Sequence, residues 1–271
     1  PYFFTDDWCG YFLDGHAVSF LDFQLNREMI WDVNHGELDL RMWSEADPAS
    51  LLNRYTAFIG RMRPLPDWTH RGAIVGVQGG SNRLRVLHQK LSEAKSSIAA
   101  YWLQDWVGQR RTSIGWQLWW NWELDEDHYP DWEADLTRFS DEDIRVMTYI
   151  NPFLVDMEEK SNVRRDLFEE AVRFGYLVKN AEGKPYAIGH TSFSTYMVDF
   201  THPDARIWFK RVVTDQVLAV GASGWMTDFG EALPCDASLY DGRSAAEYHN
   251  EYPIEWAKLV DEAVAESGRT D

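Results

Sequence analysis

Residues 72–77, 98–103, 144–150 and 222–227 are short apolar runs. Each is followed at once by polar or turn-forming residues: Gln78-Gly79-Gly80, Gln104-Asp105-Trp106, Asn151-Pro152 and Asp228-Phe229-Gly230. Such runs read as buried strands. Between them, apolar residues recur every three to four positions. That spacing predicts helices over 82–95 with Ser81 as cap, over 131–139, over 162–174 stopped by Gly175, and from Pro203 to Gly221. A further helical pattern covers 245–265, with Pro253 as a break. A Trp-rich excursion, 107–130, interrupts the alternation, and a long loop with some strand character runs to Thr201.

Upstream the period changes. Residues 1–46 are rich in aromatic and β-branched residues, with strand-like runs at 11–13, 17–20 and 37–42 separated by turn residues. They read as the end of a β-sandwich. A helix is predicted over 48–62, capped by Asp47 or Ser50, with Leu51, Leu52, Tyr55 and Ile59 on one face. Pro64-Leu65-Pro66 breaks the chain, which assigns residues 1–63 and 64–271 to separate domains.

Strand–helix alternation predicts an α/β fold with a parallel sheet. Four β/α units are countable in 64–271. A closed TIM barrel needs twice that number. Four parallel strands make either an open sheet or half of a barrel. Gln78-Gly79-Gly80-Ser81 is too short for a dinucleotide-binding fingerprint. The preferred reading is the N-terminal half of a (β/α)8 barrel.

At 45% hydrophobic, the chain can bury a sizeable core. A net charge of −18, from 44 acidic and 26 basic residues, argues against nucleic acid or an anionic membrane as partner. Of 14 Trp, six (Trp102, Trp106, Trp116, Trp119, Trp120 and Trp122) fall in one 21-residue window. Sugar rings pack their C–H faces on such surfaces, whereas most Trp in any fold belong to the core. Cys9 and Cys235 lack metal-ligand spacing and read as free thiols of a reducing, cytoplasmic compartment. His190 and His202 read as loop or cap residues, and no metal or cofactor is expected. No apolar run approaches membrane length. Pro1-Tyr2-Phe3-Phe4 carries neither Met nor a basic segment, so no signal peptide is visible and a start further upstream is expected. The sequence is compatible with an oligomer.

The chemistry concentrates in Gly224-Trp225-Met226-Thr227-Asp228-Phe229-Gly230-Glu231. A buried strand there delivers a carboxylate to its C-terminal end, where β/α barrels build active sites. Asp228, walled by aromatics, is a candidate nucleophile. The alternative is an N-cap for the turn that follows. Glu231, three residues on, suits a supporting role better than acid catalysis.

The segment Trp225-Met226-Thr227-Asp228-Phe229-Gly230-Glu231 resembles the nucleophile motif of glycoside hydrolase family 31, and within it that of the sulfoquinovosidases. Gly76-Val77-Gln78-Gly79-Gly80, Trp102-Leu103-Gln104-Asp105-Trp106, Arg111-Thr112-Ser113-Ile114-Gly115, Trp120-Asn121-Trp122 and Tyr149-Ile150-Asn151-Pro152 also match, in the family's order. The resemblance covers nearly the whole chain. It implies a (β/α)8 catalytic barrel preceded by a β-sandwich, a small carbohydrate substrate, and retaining α-glycoside hydrolysis by double displacement. The family's nucleophile maps onto Asp228. Its acid/base Asp lies some tens of residues further on, whereas this chain ends 43 residues after Asp228. The resemblance therefore implies the N-terminal portion of a longer enzyme, inactive by itself.

Gln78 and Gln104 map to positions around the sulfonated end of the sugar, and each amide can donate to and accept from hydroxyl or sulfonate oxygens. Asp105, beside Gln104, is carried with it as a candidate substrate contact. Typical α-glucosidases of the family place an Asp where Gln104 stands. Capping of strand-end loops is the alternative for both amides. Trp120 matches the family Trp that donates its indole N–H toward the sulfonate. A core position is the alternative, and alternation along an extended segment would send Trp120 and Trp122 to one face and Trp119 to the other. Gln117 stands where sulfoquinovosidases carry an Arg, so the charge-assisted contact is given up at that position. Arg110 or Arg111 could reach in, although surface or loop-packing roles fit them too. Three readings stay open: hydrolysis of α-sulfoquinovosides or a related sugar, hydrolysis of a non-sulfonated α-glycoside, and an inactive or carbohydrate-binding homologue.

Overall fold

A computed structural model describes residues 2–24, 29–33, 36–190 and 192–269, with the backbone alone at His190. In the N-terminal part, β1 (Tyr2–Phe4), β2 (Cys9–Leu13), β3 (Ser19–Asp22), β4 (Ile30–Val33) and β5 (Leu40–Ser44) form two small antiparallel sheets, ordered β1-β2-β5 and β3-β4. Helix α1 (Pro48–Ile59) follows. Asp47 caps it, its Oδ1 accepting from Ser50 N–H at 2.9 Å. The helix ends at Ile59 instead of 62 because Gly60 adopts φ 93°. The predicted apolar face is also narrower than expected. Leu51 is buried and Tyr55 stacks on Tyr2 at 3.9 Å, but Leu52 and Ile59 are exposed.

The second part carries a four-stranded sheet of β6 (Ala73–Val77), β7 (Ile98–Leu103), β10 (Arg145–Ile150) and β14 (Gly224–Thr227). All pairings are parallel and the spatial order is the order of the chain, β6-β7-β10-β14. Helix α2 (Gly80–Glu93) links the first pair, and α3 (Trp132–Asp141) the second. Between β7 and α3, the Trp-rich excursion contains a hairpin, β8 (Gln109–Thr112) with β9 (Gly115–Leu118). The link from β10 to β14 holds β11 (Phe153–Leu154), α4 (Leu167–Phe174), β12 (Ile188–His190), β13 (Phe193–Met197) and α5 (Pro203–Val212). Helix α5 runs on into a π-helical turn, Val213–Leu218. Two helices close the chain, α6 (Ala245–Tyr248) and α7 (Tyr252–Glu266).

Several boundaries differ from the sequence reading for local reasons. Helix α2 starts at Gly80, with Gly79 at φ 113° as cap, so Ser81 lies in the first turn. Ser81 N–H donates to His128 O at 3.1 Å, and a Cβ on Gly80 would meet that oxygen at 2.6 Å, so the start requires glycine. Helix α4 starts at Leu167, capped by Asp166, because Asn162 and Arg164 are taken up by the acidic loop at Glu123, Asp125 and Asp127. Pro253 opens α7 in its first turn instead of breaking a longer helix. The last strand begins at Gly224, two residues later than expected. His202 caps α5, its Nδ1 accepting from Asp204 N–H at 3.2 Å. His190 stands in β12, not in a loop, and its side chain lies outside the described residues.

One continuous core runs from Val77 to Ala263. Its largest members include Trp106, Trp122, Tyr129 and Trp256, all essentially inaccessible. The indoles do more than fill space. Trp102 Nε1 donates to Thr148 O (2.9 Å), Trp106 to Tyr149 O (2.8 Å), Trp122 to Phe153 O (3.0 Å) and Trp256 to Asp228 O (3.1 Å). These N–H groups satisfy carbonyls at and just beyond the strand ends, which would otherwise be costly to bury. Most of the Trp cluster is thus packing. Trp119, Trp120 and Trp122 are all buried, with Trp122 at φ 50°, while Trp116 is 64% exposed. The outer strands β6 and β14 leave Ile74 and Met226 exposed. No helix among the described residues is long and apolar enough to cross a membrane.

Candidate active site

The ends of β10 and β14 lie side by side, with Ile150 paired to Thr227. The pairing extends one residue further, because Asp228 N–H donates to Ile150 O at 3.0 Å. Trp256 on α7 fixes the Asp228 carbonyl from behind. The backbone then turns sharply through Phe229 (φ 58°) and Gly230 (φ 117°). A Cβ on Gly230 would sit 3.0 Å from Pro253 Cα, so glycine is required there. A bulky residue at positive φ costs on the order of 1–3 kcal/mol. Phe229 is held by its ring, which packs on Trp120 (5.6 Å) and edge-on to Phe153 (5.5 Å). The turn leaves the half-buried Asp228 side chain at the wall of a cavity of about 290 Å³.

Gln104, Gln117, Trp120 and Tyr149 line that cavity with Asp228, and Leu118, Phe193 and Phe229 complete its walls. Its size is near the lower end for ligand sites, ~300–1,000 Å³, and its aromatic walls with a few convergent polar groups suit a small polar ring. A larger cleft of about 870 Å³ lies between α3 and the π-helical turn, but no residue of the parallel strands reaches it.

Asp228 Oδ2 accepts a hydrogen bond from Tyr149 Oη at 2.7 Å. Asn151 Nδ2 in turn donates to Tyr149 Oη at 3.2 Å, and its own Oδ1 accepts from Phe153 N–H at 2.9 Å. Tyr149 is almost fully buried. Burial pushes its phenol well above the ordinary value, and the hydrogen bond to Asp228 and that carboxylate's charge add to the shift, against Asn151. Tyr149 therefore stays a proton donor at any working pH. Sequence reasoning quoted Tyr149 and Asn151 within a motif and gave them no role. The available signal was a buried Tyr one residue short of a strand end, which must find an acceptor for its hydroxyl.

Gln104 reaches the cavity as expected, and Gln78 stands beside it. Gln78 Nε2 donates to Gln104 Oε1, and Gln109 Nε2 donates to Gln78 Oε1 at 3.1 Å. Asp105 does not join them. Its carboxylate is fully buried: Oδ2 accepts from Gly79 N–H (2.7 Å) and contacts His128 Nε2 (2.6 Å), while Oδ1 accepts from Tyr129 Oη (2.5 Å). The expectation that Asp105 contacts substrate is thereby corrected. Just past β7, successive side chains point to opposite sides, so Gln104 in the cavity sends Asp105 away from it. Glu231 is exposed on the turn outside the cavity and makes no hydrogen bond to a cavity residue among the described residues, although its charge is felt at the Tyr149 phenol.

Gln117 lines the cavity, and its Oε1 is buried without a partner among the described residues. Across the hairpin it pairs with Arg110. The Arg110 guanidinium is sandwiched between Phe193 (3.5 Å to the ring centre) and Trp119 (4.5 Å). Burial lowers its pKa to about 10, and nearby Glu159 opposes the shift. Arg111 is exposed on the hairpin. No three His, Cys, Asp or Glu side chains among the described residues cluster as metal ligands.

This geometry has relatives. Residues 76–270 match the Glycosyl hydrolases family 31 TIM-barrel domain. The chain belongs to glycoside hydrolase family 31. Within the family it is 38% identical over 220 residues to the sulfoquinovosidase of Escherichia coli, covering 81% of this chain and 31% of that protein. It is 32% identical over 252 residues to the sulfoquinovosidase of Agrobacterium fabrum, covering 89% and 37%. Among solved structures, a family 31 sulfoquinovosidase from E. rectale in complex with an aza-sugar inhibitor superposes with a TM-score of 0.84 at 36% identity, over 96% of this chain and 38% of that one. The family 31 chain described here therefore spans about a third of the length of these relatives.

Proposed function

We propose that the protein carrying this chain is a retaining α-glycoside hydrolase acting on α-sulfoquinovosides or a closely related sugar, with Asp228 as nucleophile. The observation that carries the reading is the Asp228 carboxylate, presented by β14 and a strained turn to a sugar-sized cavity between β10 and the Trp120 wall. The kinship to two sulfoquinovosidases supports the substrate class. In this reading residues 1–63 are the end of a β-sandwich with its linking helix, and 64–271 supply the first half of a (β/α)8 barrel. The exposed Ile74 and Met226 on the outer strands would be covered by the rest of that barrel.

Retention requires two carboxyl groups about 5–5.5 Å apart across the scissile bond. Asp228 attacks the anomeric carbon as the aglycone leaves. The second group protonates the departing oxygen and then activates the water that releases the sugar. It is assigned to residues outside this chain, consistent with relatives of which the chain spans only 31% and 38%. The isolated 271-residue chain is accordingly expected to be inactive. Gln104, Gln117 and Trp120 are proposed to hold the end of the sugar away from the scissile bond.

A specific observation favours a second reading. The neutral Gln117 amide lines the cavity where a charged donor would bind a sulfonate more strongly. A non-sulfonated α-glycoside then becomes the substrate. Turnover of aryl α-sulfoquinovoside against aryl α-glucoside by the full-length protein separates the two, and a strong preference for the glucoside would sink the first. Replacement of Asp228 by Asn tests the chemistry itself: kcat is expected to fall by roughly 1,000-fold or more.

A further inference from the structure

The two oxygens of Asp228 are not equivalent. Oδ2 is held by Tyr149 at 2.7 Å, whereas no described residue hydrogen-bonds Oδ1. Tyr149 is itself fixed on both sides. Its ring is buried beside Trp122 (6.1 Å), and its hydroxyl receives Asn151 Nδ2, which the Phe153 N–H anchors through the Asn151 side-chain oxygen. The chain Phe153–Asn151–Tyr149–Asp228 thus runs along β10 and its exit and ends on the carboxylate. We infer that Tyr149 is a positioning residue for Asp228, locking Oδ2 so that Oδ1 is the oxygen that attacks. The inference rests on the reading of Asp228 as nucleophile and adds a residue to it.

Other groups also lie near the pair. Glu231, on the turn after β14, is a second carboxylate near Tyr149, and its negative charge adds to the upward push on the Tyr149 phenol. The cavity neighbours from the other elements, Gln104, Gln117 and Trp120, are neutral, as is Trp256 from α7. Among the described residues no Arg, Lys or His forms an ion pair with Asp228. The Tyr149 hydroxyl is therefore the side-chain donor that fixes Asp228 among the described residues.

The test is Tyr149→Phe in the full-length protein, which deletes one hydroxyl and keeps the ring. A hydrogen bond to a charged group predicts a fall in kcat of about 10- to 100-fold. KM should change by less than about threefold, because the bond serves the attacking group and not ground-state binding. Should Tyr149→Phe fold poorly, Asn151→Ser carries the test, because serine can still accept from Phe153 N–H while its shorter side chain withdraws the amide that donates to Tyr149. The fall in kcat should then be smaller than in Tyr149→Phe, again with KM changed by less than about threefold. An unchanged kcat, or a loss carried by KM instead of kcat, in these variants would overturn the inference.

A parallel arm keeps the two claims apart. Asp228→Ala with an activated aryl glycoside should be inactive and regain turnover on adding azide, with a β-glycosyl azide as product. If azide rescue occurs and Tyr149→Phe is neutral, Asp228 stands and the positioning role falls. If Asp228→Ala is fully active without azide, the nucleophile reading falls and takes the positioning role with it.

Discussion

Two strand ends of the same sheet each present an aspartate, and the two meet opposite fates. At the end of β7, Asp105 has no exposed surface and is surrounded by three donors: the Gly79 amide, the Tyr129 hydroxyl and the His128 ring. At the end of β14, Asp228 is half-buried and receives one donor, Tyr149, on one oxygen. A carboxylate whose two oxygens are both engaged is a structural tie, here joining β6, β7 and the loop before α3. A carboxylate with an unoccupied oxygen facing a cavity can do chemistry. The residue type and the strand-end position are shared. The donors decide the role.

The largest effect expected from breaking this contrast is at the occupied end. Asp105→Ala would leave the Gly79 amide, the Tyr129 hydroxyl and His128 without their acceptor. Removing one member of such a buried set costs about 3–5 kcal/mol, to be read from chemical denaturation of the full-length protein. Asp228→Asn, in contrast, should leave stability within about 0.5 kcal/mol while abolishing turnover. Equal stability losses in the two variants would erase the distinction.

Next in size is the turn that aims Asp228. Gly230→Ala places a methyl group 3.0 Å from Pro253 Cα at φ 117°, and should cost about 1–3 kcal/mol of stability. It should also lower kcat, because the turn and the carboxylate move together. Loss of stability with kcat intact would show that the strain does not position the side chain.

Adding a cation to the sparse end is a milder change. Gln117→Arg should raise the preference for sulfoquinovoside over glucoside by about 10-fold in kcat/KM, since charge-assisted hydrogen bonds are roughly twice as strong as neutral ones. No gain in that ratio would favour the non-sulfonated substrate. Smallest of all, Glu231→Gln should alter kcat by less than about threefold, because the side chain lies outside the cavity.

Much of this was legible in the residues. The parallel strands were visible because each is a short apolar run punctuated by a polar or turn residue, and β7 matches its predicted span residue for residue. The hairpin of β8 and β9 was hidden because Gln109-Arg110-Arg111-Thr112 carries no apolar alternation, and its pairing is backbone geometry alone. The π-helical turn at Val213–Leu218 lengthens the helical repeat over only six residues, too short a span for the apolar pattern to mark it. In the site, Gln104, Gln117, Trp120 and Asp228 were singled out and share one cavity. Tyr149 was passed over because its partner lies 79 residues away in the chain, beyond the reach of any local pattern. Asp105 was misassigned by adjacency to Gln104, although strand alternation already argued that neighbours face opposite ways.

The account turns on Asp228 forming a bond to the sugar. Incubating the full-length protein with a 5-fluoro α-glycosyl fluoride of the preferred sugar should trap a covalent intermediate. Mass spectrometry of the digest should then place one glycosyl adduct on the peptide containing Thr227-Asp228-Phe229, with the ester at Asp228. An adduct on another carboxylate, or turnover that inverts the anomeric configuration with no adduct, would contradict it.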